Sequence, residues 1–298
     1  MKKFLKYCES IGPFFAAEGI QIIVVTFFTL MYGFIASIFI GIHMGLNGES
    51  GTENFSEALA KYASLPDALN YVLSVVAVLI CGIVFYFWYR KFKLGSKKIE
   101  MKKVITRKNL LLFFLLGLGG QCFMSGLMSI AQPFFVSVFT NYSKTIGTLL
   151  SGNIIVVIIF TVFIAPITEE LIFRGMILQK ANKEIPFIGA NILQAALFGI
   201  YHWNIIQGIY VFFLALLLGY IYKKFQTLLA PILLHMFFNA SAFIIMFFPN
   251  NTIIAILTSV VGGLFVVFPI LVINKKMIRP LNTMEAANIE MKENDIEI

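Results

Sequence analysis

The chain has 298 residues, 59% of them hydrophobic and only 13% charged, with a mean hydropathy of +0.88. Soluble globular chains carry roughly 25% charge, so this composition excludes a soluble enzyme and predicts an all-α, polytopic membrane bundle. The net charge of +8 does not point to nucleic acid, because the longest basic stretch, Arg90 to Lys108, lies between two apolar runs. A cytoplasmic loop looks like that under the positive-inside rule.

At about 20 residues per span, the apolar runs predict eight membrane helices. They cover 14–42, 69–89, 110–131 (stopped near Pro133), a fourth from about 152 through Glu169 and Glu170, then 187–203, 208–222, 228–248 and 252–273. Met1 to Lys6 resembles the start of a signal peptide, but the apolar run behind it is too long for a cleaved segment. It is expected to remain as the first helix. Residues 1–279 read as one integral-membrane domain with a motif core at 150–248, and 280–298 as a polar cytoplasmic tail. Lysines and arginines gather at the N-terminus, 90–108, 180–183, 223–224 and 275–276. With eight spans these fall on one side, which predicts both termini in the cytoplasm of a multi-pass protein of the cell membrane. Cys8, Cys81 and Cys122 have neither metal nor disulfide spacing and read as packing residues.

Three segments place ionisable and amide groups where lipid is expected: Thr168 to Gly175, Phe198 to His202, and His235 to Asn239. Charge at membrane depth costs several kcal/mol and marks a functional cavity. Glu169 lies 17 residues before Pro186 and His202 lies 16 after it, so an antiparallel hairpin sets the two level as a candidate acid/base or ligand couple. Glu170 and Arg174 stand at i, i+4, the spacing of an ion pair. Glu169 then stays free as a general base for activating water. His235 and Asn239 share a helix face, and Asn239 offers an amide to a developing oxyanion. By helical rise His235 sits about 10–12 Å from the cytoplasmic start of its helix and His202 about 24 Å. That mismatch predicts a hairpin projecting some two turns into the cytoplasm and a site in the cytoplasmic third of the membrane. Pro231 is expected to disturb the seventh helix. Glu18 and His43 are given no role.

Glu-Glu-x-x-x-Arg (169–174), Phe-x-x-x-His (198–202) and His-x-x-x-Asn (235–239), in this order on successive helices, resemble the CPBP family of intramembrane proteases. That family includes the CAAX prenyl endopeptidases and bacterial Abi-type proteins. The resemblance implies an eight-helix fold and endopeptidase activity on a membrane-associated protein or peptide near the cytoplasmic face. By motif position it makes Glu169 the residue that activates water, with His202 assisting. His235 and Asn239 would hold the oxyanion or bind a metal, and Glu170 and Arg174 would support the site. Zinc held by Glu169, His202 and His235 and a metal-free mechanism both stay open. The alternative function is a non-enzymatic immunity or accessory protein of the bacteriocin self-immunity type, acting by binding. A proton-coupled transporter is disfavoured because no inverted repeat is recognisable. The partners implied are the substrate and the lipid bilayer, with no nucleic acid. The sequence does not specify an oligomeric state.

Overall fold

The computed structural model describes residues 2–46, 67–92, 101–150, 153–248 and 251–277; the expected polar tail at 280–298 lies outside them. Among the described residues every regular element is helical. α1 is Lys2–Leu46, α2 Asp67–Phe92, α3 the single turn Met101–Val104, and α4 Arg107–Ala131. α5 is Val136–Leu150, α6 Ile154–Glu184, α7 Phe187–Tyr201, α8 Ile205–Phe225, α9 Leu229–Ile245 and α10 Thr252–Met277. α1, α2, α4, α6, α8 and α10 are long and apolar enough to cross a membrane, and α7 and α9 are shorter apolar helices. This is a multi-pass membrane protein, with apolar helices at the eight places where hydropathy puts them. α5 is additional. Its Ser137, Thr140, Asn141, Lys144 and Thr145 keep it below the hydropathy of a span, so the pattern reads it as loop.

Local chemistry sets the helix ends. Thr106, Asn153 and Asn204 cap α4, α6 and α8 by accepting from the amides of Asn109 (3.1 Å), Ile155 (3.0 Å) and Gln207 (3.1 Å). Such a cap contributes about 1 kcal/mol. Gln132–Phe134, with Pro133 inside, forms the 3₁₀ turn that ends α4. Pro231 falls in the first turn of α9, where a missing N–H breaks no intrahelical bond. The Ile232 amide already bonds the Leu228 carbonyl at 3.0 Å, so the expected disturbance of this helix does not occur.

Glycines let the helices close up, as membrane bundles require. Gly117 of α4 lies on the backbone of Phe237 and Phe238 in α9, and Gly126 lies on Ala255 and Ser259 in α10. Gly199 and Gly208 face each other across the α7–α8 crossing, where a Cβ on either would meet the other's carbonyl oxygen within 2.9 Å.

The basic helix ends meet at one end of the bundle. Lys180 Nζ donates to the Glu9 carbonyl at 3.4 Å and lies 5.2 Å from the Trp88 ring, two residues from Arg90. Lys223 Nζ stands 4.2 Å from the Phe187 ring, and the Tyr220 hydroxyl donates to Asn274 Oδ1 at 2.7 Å. Val104, Ile221 and Ile273 are buried in one cluster. The starts of α4 and α7 and the ends of α2, α6, α8 and α10 are therefore grouped there.

Within the bundle, the depth mismatch is met at the α8–α9 connection. Phe187 and Lys223 are level, so the α6–α7 hairpin does not outrun the end of α8. Instead the α8–α9 connection climbs. Gln226 adopts a left-handed conformation (φ 51°), and Leu228 packs against Gly175, five residues from Glu170. α9 thus starts close to the level of the carboxylates.

Candidate active site

α6 carries the acidic motif on an irregular backbone. Residues 159–164 and 171–178 are wound as π-helix on either side of the Ala165–Glu170 α-turns. π-Helical insertions occur mostly as local features at functional sites. The first has an identifiable cause and consequence. The Ala165 amide turns to the Phe160 carbonyl, and Pro166 has no N–H to give, so the Thr161 carbonyl loses its helical partners. Asn239 of α9 fills the gap, donating from Nδ2 to the Thr161 carbonyl at 2.8 Å. Asn239→Leu leaves that carbonyl without its donor. An unmet buried polar group costs about 1–3 kcal/mol, so the variant is expected to unfold at lower temperature in detergent. An unchanged transition would show that the contact contributes nothing.

Four charged or ionisable groups then form a chain. Arg174 Nη1 donates to Glu170 Oε1 at 2.8 Å, as the i, i+4 spacing predicts, and both side chains have no exposure. His235 Nδ1 lies 3.0 Å from the same Glu170 oxygen. His235 Nε2 lies 3.6 Å from Glu169 Oε2, an ion-pair distance rather than a hydrogen bond. A carboxylate only accepts, so His235 carries its hydrogen on Nδ1. Its Nε2 is the ring nitrogen turned to Glu169. Glu169 keeps 13% of its side chain exposed. It is the one carboxylate of the pair that reaches open space.

The frame around this chain is polar where it must be and apolar elsewhere. Arg174 Nη2 donates to the Ala215 carbonyl of α8 at 3.2 Å, and the guanidinium stands 4.9 Å from the Phe198 ring. Phe198 also packs edge-on against the rings of His202 (4.8 Å) and His235 (5.9 Å). Gln194 Nε2 donates to the Ala215 carbonyl at 2.9 Å and to Asn191 Oδ1 at 2.8 Å, while Asn191 Nδ2 donates to the Leu216 carbonyl at 3.0 Å. These contacts fix α7 and α8 on the buried arginine.

His202, which equal spacing from Pro186 sets level with Glu169, caps the C-terminal end of α7 and lies within electrostatic reach of both Glu169 and His235. Its Nδ1 lies 2.8 Å from the Phe198 carbonyl. A carbonyl only accepts, so neutral His202 presents an unprotonated Nε2 and acts as a proton acceptor rather than an oxyanion donor. The direct partner of Glu169 is His235. α1 anchors the turn after His202: Gln21 Nε2 donates to the Tyr201 hydroxyl, and Trp203 Nε1 donates to Glu18 Oε2 at 3.1 Å. Trp203 holds a left-handed conformation there (φ 50°), which costs a non-glycine residue about 1–2 kcal/mol. Glu18 therefore has a structural partner that sequence reasoning missed, as it missed Gln21, Asn191 and Gln194. Amides and acids inside apolar runs were the available signal.

Among the described residues no three His, Cys, Asp or Glu side chains are arranged to hold a metal ion. Glu169 and His235 face each other, and each histidine is held through its Nδ1, His235 by Glu170 and His202 by the Phe198 carbonyl, which leaves both Nε2 atoms open. No step below passes through a metal.

Compared with known proteins, residues 151–241 match the family model of the Rce1-like type II CAAX prenyl endopeptidases. Neither the curated proteins nor the solved structures return a match. The matched segment spans α6 to α9 up to Ser241 and includes every residue of the charge chain.

Proposed function

We propose, from the premise that residues 151–241 belong to the type II CAAX prenyl endopeptidase family, that this membrane peptidase hydrolyses a peptide bond in a membrane-associated protein or peptide with Glu169 as general base. The observation that carries this reading is the approach of Glu169 to a histidine that Glu170 and Arg174 hold from behind. Glu169 takes a proton from water as the water oxygen adds to the scissile carbonyl carbon. The carbonyl oxygen becomes an oxyanion, which the second amide hydrogen of Asn239 stabilises, joined by His235 when both of its ring nitrogens carry hydrogen. The C–N bond then breaks, and the leaving amine takes the proton from Glu169, with His202 Nε2 available to relay it. General-base catalysis of this kind contributes roughly 10²–10⁴-fold.

Terminal-peptide mass spectrometry on membranes from cells making wild type or Glu169→Gln tests the activity. New peptide ends confined to wild type support it, and identical profiles with both proteins folded contradict it. The metal-free form of the mechanism has its own check. Purified wild type is expected to contain no stoichiometric zinc and to keep cleaving in chelator. Near-stoichiometric zinc that disappears in His202→Ala/His235→Ala would overturn it.

A further inference from the structure

Glu18 and Gln21 are polar side chains in an otherwise apolar stretch of α1, inside the candidate span Glu9–Met44. An ionisable group at membrane depth is costly and marks a task. Three residues apart, the two lie on one face of α1. That face meets the turn between α7 and α8 and takes hold of both neighbours of His202. Gln21 Nε2 donates to the Tyr201 hydroxyl on one side, and Trp203 Nε1 donates to Glu18 Oε2 at 3.1 Å on the other. Both α1 residues lie outside 151–241, the segment that matches the family model.

The chemistry of the turn explains why it needs holding. A helix ends with carbonyls that have lost their amide partners. At the end of α7 the amides of His202 and Trp203 bond the Gly199 and Ile200 carbonyls at 3.4 and 3.0 Å. The Phe198 carbonyl, whose usual partner would be the His202 amide, meets the His202 ring instead, with Nδ1 at 2.8 Å. The turn then closes through Trp203 in the left-handed conformation, φ 50°, a place where helices usually put glycine. A tryptophan is strained there, and its indole is the donor that Glu18 holds.

Tyr201 ties the turn to the acidic motif. Its ring packs edge-on against Phe173 of α6 and against His202, with centroids 5.4 and 5.9 Å apart. Phe173 stands four residues on from Glu169. Phe14 and Ala17 of α1 are buried in the same cluster as Phe173 and Phe198, so α1 is docked on the site along this stretch.

We infer that Glu18 and Gln21 are positioning residues, which lock the α7–α8 turn and thereby hold His202 with its proton on Nδ1 and its Nε2 free to accept. The tautomer of a histidine is set by the hydrogen bond that one ring nitrogen makes, and here that bond exists only while the turn keeps its shape. The inference rests on the reading of His202 as a proton acceptor in hydrolysis for its purpose but not for its test.

Nitrogen-15 NMR of histidine-labelled protein in lipid vesicles, at a pH where imidazole is neutral, reads the tautomer directly. The chain has three histidines, and His202→Gln identifies the signal of interest. In wild type that signal is expected to show a protonated Nδ1 and a bare Nε2. Glu18→Leu and Gln21→Leu should shift it toward the tautomer mixture of an unrestrained imidazole, while the signal of His235, held by Glu170, stays in place. Glu18→Gln retains an oxygen for the indole and should keep the wild-type signal. Trp203→Phe removes the same hydrogen bond from the other side and serves if the α1 variants do not accumulate. The inference is overturned if His202 keeps its wild-type signal in these variants, or if His235 shifts as much as His202, the mark of a general loosening. No substrate is involved, so a tautomer that depends on α1 in a protein that cleaves nothing supports the inference and refutes the peptidase reading alone.

Discussion

Arg174→Met is expected to remove about 3–5 kcal/mol of stability, the usual consequence of leaving a buried charge without its partner. Glu170 would keep only His235 in a pocket where neither Glu170 nor Arg174 is exposed. The α8 carbonyl of Ala215 and the face of Phe198 would lose the guanidinium at the same time. Little folded protein should be recoverable. Replacing both partners, Glu170→Met/Arg174→Met, removes the stranded charge, so most of the stability should return, because apolar side chains of similar volume often substitute for a buried pair. Activity should not return, since His235 Nδ1 then has no acceptor to orient it. Thermal unfolding in detergent, read beside cleavage, checks both halves. A double variant as unstable as the single one would show that the pair contributes more than mutual neutralisation.

Glu169→Gln should do the opposite. The side chain is partly exposed, and its closest charged partner is His235 at 3.6 Å, so the amide keeps the shape and the fold should survive. Cleavage should fall roughly 10²–10⁴-fold, the range for loss of a general base. The two adjacent glutamates thus separate: position 169 carries chemistry with little stability, and position 170 carries stability and, through His235, orientation. Equal loss of folding at both positions would contradict that division.

Much of the fold is legible in the sequence because the bilayer imposes it. A span needs about 20 apolar residues, and the eight runs are easy to delimit. The Glu170–Arg174 pair is legible for the same reason: i, i+4 geometry is local and needs no tertiary knowledge. The partner of Glu169 is not local. Equal spacing from Pro186 brings His202 within electrostatic reach of Glu169, but the histidine at ion-pair distance, His235, is set by how far the α8–α9 connection climbs before α9 begins. Leu228 against Gly175 sets that height, and nothing in the local pattern announces it. The Asn239–Thr161 contact was half legible. Pro166 inside an apolar helix removes an N–H, yet which carbonyl it strands depends on π-winding. α5 escaped notice because polar side chains from Ser137 to Thr148 dilute a short helix beside a cavity.

The most direct test of the central claim is hydrolysis by purified protein in proteoliposomes made up in oxygen-18 water, with membrane-spanning peptides as substrates. Wild type is predicted to yield fragments whose new carboxyl termini carry one oxygen-18 atom, and Glu169→Gln to yield almost none. Equal yields from a folded Glu169→Gln variant, or fragments without the label, would contradict water activated by Glu169.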